Sequence, residues 1–325
     1  MTANSTLSQI NQTKLRRFTL MLSGEDSHEA NEGSSLADRP VTGIPHERFL
    51  LGKLVPIAPV LLLGQSTESL NPEEIIACLQ PVHLHATRDH LILMGQNQID
   101  LTASESAELL KAALPLIEED FQHPILFKGQ HYWFIPAGPF ASLASYSVDQ
   151  AHGRNIDWWM PRDTNKEGIA KRWRKLQNEI QMLWHIDPVN EERAERGMPS
   201  INSIWISGIG KLNDVKIPEL LERSSHLCGP HPLLAGLAKL LNISYSETFK
   251  PQEMAGSFAW LEYPETIWPT LSSALRNQEL DEVLIIDFPN GKVRQRHFTI
   301  KDLNKKSWAF WKKAEPLSWQ AISAQ

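Results

Sequence analysis

The spacing of apolar positions is most regular between residues 167 and 210. On a helical wheel Ile169, Trp173, Leu176, Ile180, Leu183 and Trp184 fall on one side, which predicts an amphipathic helix over 167–186. Arg174, Asn178, Gln181 and His185 share the opposite face, at helical spacings. Pro188 ends the helix near Asp187, because the residue before a proline avoids the helical region. Asn190 then caps a short turn, "EERAER", that stops at Gly197. "SINSIWISG" alternates. It predicts a strand with Ile201, Ser203, Trp205 and Ser207 on one side, ending in Ser207-Gly208-Ile209-Gly210-Lys211.

Elsewhere the pattern predicts shorter elements. "RRFTLML" (16–22) reads as a strand, followed by a polar, mobile loop over 23–43. "LVPIAPVLLLG" (54–64) reads as buried strand or loop. "NPEEIIACL" (71–79) reads as a helix with Asn71 as its cap. Residues 81–101 give two or three strands. Residues 102–117 give a helix opened by a Thr102/Glu105 capping box, and 124–136 a hairpin turning at 128–130. Helices follow near 215–226, 231–241 and 264–277, strands near 257–262 and 282–288, and a last helix from Lys301 to about Lys313. Strands alternating with helices imply an α/β fold: a mixed-sheet layered α/β domain with a smaller N-terminal α/β lobe. The expected division is 1–45 as a strand plus mobile loop, 46–160 as the N-terminal lobe, and 161–325 as the C-terminal lobe, with the boundary in the loop-rich stretch 137–166.

Composition changes this picture little. A chain of 325 residues with 42% hydrophobic positions is long enough for a large core in two lobes. A net charge of −6 supplies no global field toward nucleic acid or acidic membranes, and no apolar run is long enough for a membrane span. Two cysteines, Cys78 and Cys228, suit a reducing cytosol, so a cytoplasmic location is expected. The eleven tryptophans read as core packing.

The candidate chemistry lies in the stretch with the clearest pattern. Ligands in open α/β sheets sit beyond the carboxyl ends of strands, and glycines let backbone amides approach an anion. The Gly208–Gly210 turn and Lys211 are therefore expected to lie near the polar helix face and bind a small anionic ligand, phosphorylated or carboxylate. His185 is the candidate acid or base, with Glu179 to orient it. Gln181, Asn190, Arg193, Asn202 and Ser203 complete the expected ligand set. The plainer reading is a wet helix face and a tight turn. His83 and His85 share one side of a strand, as metal ligands do, yet no later pair matches them, so no metal ligands are assigned and the cofactor stays unknown. Neither Ser203 nor Ser207 has the glycine elbow of a hydrolase nucleophile. The basic, aromatic C-terminal segment reads as a solvated face, and no nucleic-acid partner is expected. The sequence leaves the oligomeric state open.

Several pieces, taken in order, carry a family likeness: "PVHLHATRDHLILM" (81–94), "DLTASESAELL" (100–110), "HYWF" (131–134), "NEIQMLWHIDPVNEERAERGMPSINSIWISGIG" (178–210) and "WAFWKKAEPL" (308–317). With them the chain resembles the RpfE-type regulatory proteins of proteobacteria, often labelled cofactor-independent phosphoglycerate mutase-like. The resemblance implies a regulatory protein, and as the alternative a phosphoglycerate mutase-like isomerase or phosphate-ester hydrolase. The mutases resemble alkaline phosphatases and need a serine and two metals. Here Ser23-Gly24 stands where their first strand has Asp-Gly, Asp26 comes too late, Asp89-His90 is the one Asp-His pair, and Asp287 has no histidine beside it.

Overall fold

The computed structural model describes residues 15–25, 41–303 and 318–323. Most of the polar loop expected at 23–43, and most of the last helix with its Trp308 and Trp311, lie outside the described residues. In chain order the strands are β1 (Arg17–Met21), β2 (Ile76–Ala86), β3 (Leu91–Met94), β4 (Phe127–Lys128), β5 (Trp133–Pro136), β6 (Leu143–Ala144) and β7 (Arg162–Asp163). After them come β8 (Ser203–Gly210), β9 (His226–Cys228), β10 (Ser244–Ser246), β11 (Ser257–Trp260), β12 (Glu282–Asp287) and β13 (Arg294–Phe298). The principal helices are α1 (Pro45–Leu51), α2 (Ile57–Gln65), α3 (Ala103–Phe121), α4 (Ile169–His185), α5 (Pro188–Glu195), α6 (Pro232–Leu241) and α7 (Trp268–Arg276).

The strands form two main sheets. The first has the order β10-β9-β11-β1-β12-β13, parallel except for β13 at its edge. Its side chains alternate between two cores. Met21, Phe258 and Ile286 face α2 and α6, while Phe18, Leu20, Ala259 and Ile285 face α7. The second sheet is antiparallel and built on β2. One edge of β2 carries β8 from Ile76 to Val82, and the other carries β5 and then β3. Ala77, Leu79, Trp133, Ile204 and Ile206 turn to α3 and α4, whose Leu109, Ile117, Trp173 and Ile180 complete that core. The mixed α/β class predicted from the sequence is the observed one.

Sheet pairing crosses position 160. β8 lies along β2, and β1 sits between β11 and β12, so the chain leaves the parallel sheet after β1 and re-enters it at β9.

Two expected elements change type. The helix expected at 71–79 is a turn at Asn71, whose Oδ1 accepts from Glu73 N–H at 3.1 Å, followed by the start of β2. β2 is buried on both faces there, so its apolar run lost the alternation that marks a half-buried strand. The run read as strand or loop at 54–64 contains α2. Pro59 sits in its first turn, where no intrahelical N–H is required. α2 is nearly all apolar because it packs against both α6 and the second sheet. A Cβ on Gly236 of α6 would lie 1.9 Å from the Val60 carbonyl oxygen, so only glycine permits that approach. The helix expected at 215–226 shrinks to Glu219–Glu222 before β9. Among the described residues no helix is long and apolar enough to cross a membrane, and both cysteines are buried and unpaired.

Candidate functional site

α4 and β8 run antiparallel. Gln177 Nε2 donates to Ile204 O at 2.8 Å, and the end of α4 meets the entry to the strand through Asn190. His185 therefore lies beside residues 200–202. Gly208 and Gly210, expected in a turn after the strand, instead belong to the last residues of β8, roughly 20 Å away at the rise of an extended chain, where the pairing with β2 is irregular between Ile76 and Cys78. The expected convergence of helix stripe and glycine turn does not occur. Gly208 instead adopts φ +63° and packs on Ala58, and Gly210 packs on Pro56, both against the start of α2. Lys211 pairs with Glu73 at 3.0 Å.

Other expected ligand groups are engaged in holding the fold. Arg193 is fully buried. Its Nε donates to Pro199 O at 2.9 Å, its Nη1 to Glu105 Oε2 at 3.0 Å and its Nη2 to Ile99 O. Glu105 also completes the predicted capping box with Thr102 and meets Arg196. Burial works to raise the Glu105 carboxyl, but the Thr102 N–H and the two guanidinium groups outweigh it and bring its pKa down to about 2. Asn190 Oδ1 accepts from Ile201 N–H at 2.7 Å, and its Nδ2 donates to Trp184 O and Ile201 O. Asn202 copies a strand partner, accepting from Leu84 N–H at 2.7 Å and donating to Leu84 O at 3.0 Å. Ser203 is fully buried within the sheet. Glu179 faces Lys175 one turn back, 3.5 Å away, and does not reach His185's surroundings.

Four expected residues nevertheless meet. Gln181, His185, Asn190 and Asn202 line one groove of about 450 Å³, together with Met182, Trp184 and Ser200. That volume suits a small ligand. The Asn190 and Asn202 amides are occupied as described, whereas Gln181 and His185 have no partner among the described residues. They stand one turn apart on α4, beside Met182 and Ile186, which are 74% and 73% exposed. His83 adjoins the same region, its Nδ1–H donating to Ser200 O at 2.7 Å. Burial, with lesser contributions from the His85 and Arg193 charges, lowers its pKa against the raising effect of that bond. His85 is its neighbour, with ring centroids 5.8 Å apart. Among the described residues no three His, Cys, Asp or Glu side chains are grouped so as to hold a metal ion.

Sequence reasoning did not anticipate Met182, Trp184 or Ser200 as lining residues. Trp184 belongs to the core face, and its indole N–H points inward to Leu109 O at 3.0 Å, so the wheel gives no sign that its rim meets the groove. A larger cavity of about 540 Å³ lies between the starts of α3 and α5. Glu105, Glu108, Asp187 and Glu192 line it against a single lysine, Lys111, which is the wrong balance for an anion.

No family model matches the chain, and no curated protein is similar to it. Among solved structures it is similar to a cofactor-independent phosphoglycerate mutase from Thermoplasma acidophilum DSM 1728. The identity is 13%, the TM-score 0.34, and the match covers 89% of this chain and 91% of that one. It is also similar to the PH0037 protein from Pyrococcus horikoshii, with 12% identity, a TM-score of 0.39, and 84% and 82% of the two chains covered.

Proposed function

We propose that the chain is a cytosolic binding protein for a small anionic ligand, a carboxylate or phosphate ester with an apolar part, seated in the groove at the end of α4. One observation carries this reading: His185 and Gln181 present free polar groups, one turn apart, to a ligand-sized groove whose lining contains no carboxylate. Their N–H groups hold the acidic end, and Met182 takes the apolar part. Binding fits the geometry better than catalysis. Acid–base chemistry at His185 needs a reacting partner within hydrogen-bond reach, and Ser203 is sealed in the sheet. The resemblance to RpfE-type proteins gives such binding a regulatory purpose.

Thermal shifts of the purified chain against phosphoglycerates, nucleotides and cyclic dinucleotides, with and without Mn²⁺ or Zn²⁺, test the proposal. A ligand at 100 times its dissociation constant adds about 2.7 kcal/mol of stability. His185→Ala and Gln181→Ala, at exposed positions, are expected to remove the shift while changing unliganded stability by no more than about 0.5 kcal/mol. A shift that survives undiminished in both variants for every ligand overturns the assignment. A phosphoglycerate shift that requires metal turns the reading to the isomerase.

A further inference from the structure

The parallel sheet contains a switch point that lies apart from this groove. β9 and β11 are neighbours. The helix after β9, α6, packs on the face of Met21 and Phe258, and the helix after β11, α7, packs on the face of Phe18 and Ala259. Connections that leave adjacent parallel strands toward opposite faces open a crevice at the carboxyl ends of those strands, which is where α/β sheets take ligands.

Three aromatic rings and a hydroxyl meet there. His231, three residues past the end of β9, stacks on Trp260, the last residue of β11, with ring centroids 3.9 Å apart and planes inclined by 22°. His46, in α1, meets the same indole edge-on at 4.8 Å and is 5% exposed. Trp260 Nε1–H donates to Ser23 Oγ at 3.0 Å, just past the end of β1. Each imidazole is held in one tautomer. His46 Nδ1 accepts from Gly24 N–H at 3.0 Å, and His231 Nδ1 accepts from Leu233 N–H at 3.2 Å. A neutral ring that accepts at Nδ1 carries its proton on Nε2. Burial keeps both rings neutral, bringing His46 down to about 4 and His231 to about 3. Neither Nε2 has a partner among the described residues, and Arg48, two residues beyond His46, donates through Nη1 to Gly43 O. The two Nε2–H groups thus stand beside Trp260 without an acceptor among the described residues.

We propose that this carboxyl edge is a second binding site, for a small phosphate- or carboxylate-bearing ligand, with the Nε2–H groups of His46 and His231 and the hydroxyl of Ser23 as donors around Trp260. It stands independently of the groove on α4, and its test separates the two.

Titration calorimetry with inorganic phosphate, and in a parallel arm with acetate, reads the site directly and shows which acid group it prefers. His46→Asn and His231→Asn each keep an acceptor for the backbone N–H and remove the Nε2–H. Either is expected to weaken binding of the preferred anion about tenfold or more, the loss for one hydrogen bond to a charged group. Ser23→Ala, on an exposed side chain, is expected to weaken it severalfold and keeps the test decisive if a histidine variant fails to fold. His185→Ala is expected to leave it unchanged. The proposal is overturned if the wild-type protein binds neither anion, if binding survives intact in the crevice variants, or if His185→Ala abolishes it.

Discussion

Replacing Glu47 with glutamine is expected to make the protein more stable, by an amount that grows as pH rises above about 4.5 and is complete near pH 8. Glu47 stands in α1, is 6% exposed, and accepts from Ile44 N–H at 2.8 Å through Oε2. Burial raises its pKa to about 8, against the lowering effect of the Ile44 bond, and the nearby Asp149 charge pushes the same way. The folded pKa therefore lies above the ordinary value of 4.5. Below that value both states hold the proton and the favourable contribution is complete. As pH rises, the unfolded chain releases the proton first, so stability falls until the folded state also ionises near pH 8. A displacement of this size corresponds to roughly 5 kcal/mol at most. Glutamine cannot ionise, and its carbonyl oxygen still accepts from Ile44 N–H. Urea denaturation of both proteins at about pH 5 and about pH 9 checks this. The two are expected to agree within about 1 kcal/mol in acid, with the variant several kcal/mol more stable in alkali. Parallel stability curves across that range refute the buried, protonated carboxyl.

Further outcomes follow from the geometry. Arg193→Met removes one of the two guanidinium partners of Glu105 and strands three backbone carbonyls, and is expected to cost about 3–5 kcal/mol by urea midpoint; a neutral result means the network is dispensable. Gly236→Ala forces a methyl group onto the Val60 carbonyl and is expected to cost about 1–3 kcal/mol or more by calorimetry; an unchanged Tm refutes the tight α2–α6 contact. His46, whose folded pKa of about 4 is depressed from 6.5, contributes stability that is present above pH 6.5 and lost toward pH 4. Its share is roughly 3 kcal/mol, and His46→Asn is expected to flatten that part of the acid limb.

What was legible in the sequence was what repeats along a surface. α4 has one wet and one buried face, so its period showed its extent, its core side and the polar stripe from which Gln181 and His185 reach the groove. The capping box of α3 is local chemistry and appeared as written. β2 and α2 are buried all round, so burial erased the period that separates strand from helix. The site residues failed for a related reason. Arg193, Asn190 and Asn202 look like ligand groups in one dimension. In three they serve backbone atoms: Asn190 those of Trp184 and Ile201 nearby, Arg193 and Asn202 those of Ile99 and Leu84, about 90 to 120 residues away in the chain. Where the strand after α4 would point also depended on its pairing with β2, which no local spacing encodes. His46 and His231 carry no motif. They are brought together by the order of strands in the parallel sheet, which a one-dimensional pattern does not contain.

The position of β1 sets a schedule for the growing chain. Its neighbours β11 and β12 lie far downstream, and Arg17 meets Glu282 across 265 residues. At ordinary rates of synthesis β1 waits roughly 10–50 s for β12 to be made. Over that interval β2 through β8 can pair and close on α3 and α4, while Phe18 and Leu20 have no finished sheet to cover them and α2 has the second sheet but not α6. Until β11 is made β1 has neither of its neighbours, and the parallel sheet is sealed only when the last strands are made.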